Sequence, residues 1–388
     1  MFDYLKFDSI KQIYHSLYDD LSKAIFLSRL AFDLDSSKGY LDLAALSGVY
    51  SKSEILQKYQ WISEFSSNQT PVFLYGAGAR AKEWHKFLLD MGVNIQGFLD
   101  KRYPEIREYC GLPVYPPQFD KEGILFKTPN SYILIATAAF QEEIFHTLCD
   151  NGFDSSRILP LLNEPSYLLE RQYFDFSDKI PAGGAIIDAG SMDCSTSLAF
   201  SRKLKCGYSK IYAFEPDPSN YDLCLKNVNR WDLKNINVVC AGLGKKNCVL
   251  SFSETNNGSS HVDANGSSKI KVVTLDSIIK DEKVSFIKMD IEGAELDAII
   301  GASATITANK PFCAISVYHK SGDMLVLASA LKEMVPDYTF ALRHYSLTAN
   351  ETVFPFDLFT FSIKSAVQVI AVPFTSTILS PSFISLFS

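Results

Sequence analysis

Five short apolar runs between residues 185 and 319, separated by helical stretches, constrain this chain more than any other feature. Residues 185–190 (AIIDAG) read as a buried strand breaking into a turn, and residues 195–205 as a helix. Residues 212–216 (YAFEP) read as a second strand ending in an acid, and Asp217 opens a helix with Pro218 early in it. Residues 236–240, 284–290 (VSFIKMD) and 312–319 (FCAISVYH) complete the set. Between them lie a hairpin-like stretch (CVLSFSE), a loop rich in Gly, Asn and Ser at 256–268, and a run at 272–276 leading into a short helix. Strands alternating with helices imply a mainly parallel sheet, and ligands of such sheets collect at the carboxyl ends of the strands. Asp188, Glu215, Asp290 and His319 all fall at those ends.

A second, shorter alternation precedes it. Residues 71–75 (PVFLY) read as a strand that enters Gly76-Ala77-Gly78 and a helix, and residues 94–100 as a strand ending in Asp100. Residues 132–137 form another buried strand. The order strand, glycine turn, helix, strand, acid fits a dinucleotide-type turn, in which glycines let the backbone approach a phosphate. Gly76, Gly78 and Asp100 are therefore candidate nucleotide or nucleotide-sugar residues. The third glycine of that pattern is replaced by Ala81, and a purely structural Rossmann-like module is the competing reading. Residues 1–68 show apolar positions at helical spacing, with a helix start at Ser51 and Glu54. The expected organisation is a helical extension at 1–68, a Rossmann-like module at 69–165, a second α/β domain at 170–361 and an apolar tail at 362–388. Pro373 and Pro381 interrupt that tail, which favours strands or coil packed on the body over a spanning helix.

The formal net charge of −7 argues against broad nucleic-acid binding. The start has no basic segment followed by an apolar core, so it does not read as a signal peptide. The eight cysteines are scattered without a Cys-x-x-Cys pair. That suits buried thiols in a reducing cytoplasm and gives no zinc spacing, so no metal is expected. No stable membrane insertion is expected, and a homodimer is compatible with the helical extension.

The strand-end residues suit a sulfonium cofactor. Gly190 gives the backbone room for the cofactor, Glu215 offers two oxygens to ribose hydroxyls, and the acids offset a positive charge. The runs IIDAG, YAFEPDPSNYDLCLKNV, VVTLDSI, VSFIKMDIEGAE and AISVYHK resemble the FkbM family of S-adenosylmethionine-dependent methyltransferases over about residues 180–355. The chain is thus expected to be α/β with two Rossmann-like units, and the resemblance implies that the C-terminal one is a seven-stranded class I methyltransferase fold. It implies O-methylation of a sugar, glycan or related hydroxyl. Asp188, Gly190, Glu215 and Asp290 would line the cofactor site. Asp290, Glu292, Glu295 and His319 would lie at the catalytic mouth, with His319 as general base, oriented by Asp290 or Glu292.

One position departs from the pattern. Cys194 stands where the family's first loop usually carries a second glycine. Cysteine enters positive φ less readily than glycine, so the loop is expected to take another path or to bind cofactor more weakly. On that ground a non-catalytic scaffold that keeps the fold stands as the alternative function. A dehydrogenase reading of residues 76–100 is weaker, since no hydride-transfer site accompanies it.

Overall fold

The computed structural model describes residues 7–137, 140–159, 161–204, 207–253, 261–262 and 268–357. The expectations for the tail at 362–388 and for most of the loop at 256–268 lie outside the described residues. The chain divides into two compact units. The N-terminal unit holds residues 27–168 with 346–349, and the C-terminal unit holds the chain up to Phe26, residues 169–345 and those from Asn350 onward.

The N-terminal unit is built on six strands: β1 (Val72–Tyr75), β2 (Ile95–Leu99), β3 (Glu108–Tyr109), β4 (Leu112–Tyr115), β5 (Tyr132–Ile135) and β6 (Ile158–Leu159). Their order is β3-β4-β2-β1-β5-β6, parallel except for the β3–β4 pair. β1 is buried along its whole length and β5 along all but its first residue, as continuous apolar runs in a parallel sheet require. The predicted extension at 1–68 is not a unit by itself. Its boundary falls inside the helix Asp20–Leu34, between Phe26 and Leu27. The later part joins the N-terminal unit through aromatic packing: Tyr40 stacks on Phe87 at 4.2 Å, and Tyr59 meets Trp84 edge-on at 5.3 Å. Ser51 and Glu54 form the reciprocal cap that the sequence signals.

The C-terminal unit carries two sheets. The larger runs β16 (Thr339–Phe340), β18 (Thr352–Asp357), β15 (Phe312–Ser316), β14 (Val284–Met289), β7 (Ala185–Ala189), β8 (Ile211–Phe214) and β9 (Ile236–Val239). β17 (Arg343–His344) pairs with β18 beside that path, making eight strands where seven were expected. β7, β8, β9, β14 and β15 are parallel, and β18 is antiparallel to β15. The chain leaves β7 in one direction through β8 and β9, then returns to place β14 on the other side of β7. The switch point lies between β7 and β14, where a crevice opens at the strand ends. The smaller sheet has the order β10 (Gly242–Leu243), β13 (Ser268–Val273), β11 (Cys248–Ser253) and β12 (His261–Val262). Residues 18–22 are latched to the edge of the larger sheet. Tyr18 N donates to Phe340 O at 2.8 Å, Leu342 N donates to Ser22 Oγ at 2.9 Å, and Arg343 pairs with Asp19 at 2.7 Å.

Candidate active site

A cavity of about 590 Å³ opens at the switch point of the C-terminal unit. Gly190, Met192, Glu215, Asp290, Glu292 and Lys320 line it from the strand ends, and Gly242 to Lys246, Cys248, Leu250, Ile270 and Val272 from the smaller sheet. The sequence reading missed the second wall, although Lys269, Ile270, Lys271 and Val272 alternate exposed and buried as a half-buried strand does.

Gly190 closes β7 at φ +77°, and a Cβ there would lie 1.9 Å from the Asp290 carbonyl oxygen. The glycine is therefore required by the close approach of two strand ends as well as by its backbone angle. Asp188 departs from its expected role. It is fully buried below the cavity, accepting from Ser197 Oγ at 2.6 Å and facing Lys288 Nζ at 3.2 Å. Lys288 Nζ also donates to the Ala189 and Gly190 carbonyls at 3.0 and 2.6 Å. Asp188 and Lys288 together hold the loop from beneath, and no surface of Asp188 remains for a cofactor. Lys288, inside the motif KMD, was not singled out from sequence because a lysine in an apolar run gives no sign of what it will meet.

Cys194 sits at φ +62°, fully buried, and starts the helix Ser195–Lys203. The loop keeps the left-handed backbone a glycine would give it, so the expected alternative path does not occur. The Cys194 thiol packs on Ala213 and Cys224, and its pKa is pushed up by hydrogen bonding to Cys224, by burial and by the Asp188 charge.

Glu215 follows β8 and is 5% exposed. Its carboxylate accepts from Met192 N at 2.8 Å and from Asp217 N at 3.0 Å, which ties the β7 loop to the β8 loop. Burial raises its pKa against the lowering effect of those two amides.

On the opposite wall Asp290 follows β14 and accepts from Tyr173 Oη at 2.7 Å and Tyr318 Oη at 3.3 Å. His319 Nε2 lies 3.2 Å from Asp290 Oδ1 and 3.9 Å from Glu292 Oε2, and its Nδ1 lies 2.9 Å from Glu295 Oε1. The structure thus brings together Asp290, Glu292, Glu295 and His319, as the resemblance implies. Burial would push the imidazole pKa down, but the Asp290 and Glu295 carboxylates beside its two nitrogens outweigh it and lift the value to about 11. For Asp290 burial acts upward, and His319 and Lys288 overcome it, holding the carboxyl well below the usual range. Carboxylates thus flank both nitrogens of the ring. Tyr173, Tyr318 and Glu351 were missed. Tyr318 Oη faces the Glu351 carboxylate at 3.4 Å. Tyr173 and Glu351 come from outside every strand-end motif and reach the mouth through the fold alone.

Gly76, Gly78 and Asp100 line a separate cavity of about 520 Å³ within the N-terminal unit. Gly76 adopts φ +107°, and a Cβ on Gly78 would meet open space. Asp100 is not turned outward as a ribose acceptor. It takes Ala77 N at 2.7 Å and grips Arg102 with both oxygens at 2.9 Å. Bonding to Arg102 and to backbone amides overcomes burial and lowers its pKa.

The order of the larger sheet, with ligand-sized space at its switch point, defines the class: a doubly wound α/β unit with a ligand crevice. Residues 184–339 match the family model of the methyltransferase FkbM domain. Among solved structures it is similar to methyltransferase FkbM from Methylobacillus flagellatus KT, at 18% identity over 87% of this chain and 99% of that one, with a TM-score of 0.48. An rRNA methylase from Streptococcus thermophilus is 10% identical over 51% of this chain and 98% of its own, with a TM-score of 0.31. A Streptococcus mutans protein in complex with SAH is 14% identical over 51% of this chain and 100% of its own, with a TM-score of 0.33. No curated protein matches the chain. No helix among the described residues is long and apolar enough to cross a membrane.

Proposed function

We propose that the C-terminal unit is an S-adenosylmethionine-dependent O-methyltransferase acting on a hydroxyl of a sugar, glycan or related metabolite. The observation that carries this reading is the cavity at the switch point, into which Gly190, Glu215 and Asp290 converge from three neighbouring strand ends. Each Glu215 oxygen retains a lone pair beyond the one given to a backbone amide, so the carboxylate can still accept from ribose hydroxyls. Glu215 and Asp290 place negative charge on two sides of the space a sulfonium would occupy. The cofactor supplies an electrophilic methyl group when bound. The chain's own work is to hold the acceptor oxygen in line with it, and such positioning supplies much of the rate. Asp290 is the hydrogen-bond acceptor best placed to orient that hydroxyl. His319 and Glu292 flank it, and Tyr173 and Tyr318 fix its two oxygens. Cys194 does not favour the scaffold alternative, because the loop it starts has a glycine-like backbone.

Calorimetry and thermal melts with S-adenosylmethionine test the reading. A ligand at about 100 times its Kd stabilises the native state by about 2.7 kcal/mol, and Glu215→Ala is expected to abolish the shift. Asp290→Asn is expected to lower turnover at least a hundredfold on a hydroxyl acceptor and to weaken cofactor binding as well, since one of the two charges facing the sulfonium is lost. Absence of both heat and melting shift in the parent would remove the proposal.

A further inference from the structure

We infer that Asp290, Glu295 and His319 form a binding site for a divalent cation of the Mg²⁺/Mn²⁺ class. Its role in holding an acceptor hydroxyl rests on the function proposed above; its existence does not. One ligand atom from each residue lies within 4.8 Å of the others. In an octahedron with bonds of about 2.1 Å, neighbouring ligands are about 3 Å apart and opposite ones about 4.2 Å. The 3.2 Å between His319 Nε2 and Asp290 Oδ1 is an edge length of that kind.

The polar atoms of the cluster are left short of partners. Glu295 is 1% exposed, and its Oε2 has no hydrogen-bond partner among the described residues. The His319 side chain is 7% exposed, and neither ring nitrogen makes an aligned hydrogen bond despite the short distances to carboxylate oxygens. A buried carboxylate oxygen without a partner is destabilising, and a bound cation offsets that cost. The charge balance points the same way. Asp290, Glu292 and Glu295 gather around one imidazole, while Lys288 is committed to Asp188 and two carbonyls. Ligating side chains are commonly held in orientation by a further hydrogen-bonding partner. Tyr173 Oη fixes the orientation of Asp290 in the same manner. Two carboxylates, one imidazole and no thiolate suit an oxygen-seeking ion better than a thiophilic one. Asp290 and Glu292 line the cavity, so water or a substrate oxygen can complete the coordination from that side. There the ion would act as a Lewis acid on the acceptor hydroxyl.

The test is Mn²⁺ titration of the chelator-treated full chain, followed by the loss of the free-ion electron paramagnetic resonance signal. One saturable Mn²⁺ per chain is expected, with a raised melting temperature in Mn²⁺. Glu295→Gln and Asp290→Asn should each weaken binding at least tenfold, with unchanged circular dichroism certifying that the variants are folded. No saturable site and no melting shift in the parent would overturn the inference, as would parent-like affinity in both folded variants. The parent measurements decide even if a variant does not fold. Cofactor binding without Mn²⁺ binding sinks the cation site alone. Mn²⁺ binding without cofactor binding supports the site and sinks the methyltransferase reading.

Discussion

Cys194 at φ +62° shows how one side chain can keep a loop that normally asks for glycine. The left-handed conformation costs a residue with a Cβ about 1 kcal/mol or more. Here the buried contact of the thiol with Cys224 and Ala213 offsets it. Cys194→Gly trades one against the other and is expected to change stability by less than about 1 kcal/mol. Cys194→Val adds β-branching at positive φ and is expected to cost about 2 kcal/mol or more. Urea denaturation of the two variants separates these outcomes, and equal costs would refute the backbone account. Lys288 makes a second case. Lys288→Met strands the fully buried Asp188 carboxylate and is expected to destabilise by about 3–5 kcal/mol. Adding Asp188→Asn should restore much of that loss, because the unpaired charge is then gone. A double variant no more stable than Lys288→Met would show that packing, not charge, is what the lysine supplies.

Secondary elements were legible in proportion to how completely local sequence determines them. β7, β14 and β15 are continuous apolar runs because both faces of a parallel sheet are covered, and their expected and observed starts coincide. The helix at Lys52–Lys58 was announced by its cap. Ser51→Ala removes the acceptor for Glu54 N and is expected to lower stability by about 1 kcal/mol in urea denaturation. A loss below about 0.2 kcal/mol would mean that the cap is ornamental. β16 and β17 are two residues each and carry no period to read. The candidate site divides in the same way. Glu215, Asp290 and His319 stand at strand ends, and topology alone delivers strand ends to a cavity. Whether an acid there faces ligand or protein is a different question. Asp188 found Lys288, and Asp100 found Arg102, through contacts that no spacing encodes. Tyr173 reaches Asp290 across 117 residues of chain, from a segment with no motif of its own.

At the scale of the whole molecule, the two units give the chain two separate sources of response to solution conditions. The proposed cofactor and cation would act on the C-terminal unit, and in the N-terminal unit pH acts through Glu83. This carboxyl lies on the helix Ala79–Asp90 and accepts from Ala349 N. Burial raises its pKa from 4.5 to about 7, against the lowering effect of bonds from Ala349 and Thr348. The folded value exceeds the unfolded one, so the native state binds the proton more tightly. The stability this confers is complete below about pH 4.5. It is lost as pH rises through the window from 4.5 to 7, and above that window no further loss occurs. The full shift corresponds to about 3 kcal/mol; solvent at the rim of the site reduces this to roughly 2 kcal/mol. Glu83→Gln keeps the shape and removes the titration. It is expected to be more stable than the parent at pH 8 by about that amount, with the advantage gone at pH 4.5. Urea denaturation followed by tryptophan fluorescence reads the right place, since Trp61 and Trp84 are both buried in this unit. An advantage that is the same at pH 4.5 and pH 8 would show that Glu83 ionises on folding as it does in water, and would remove the pH dependence assigned to it.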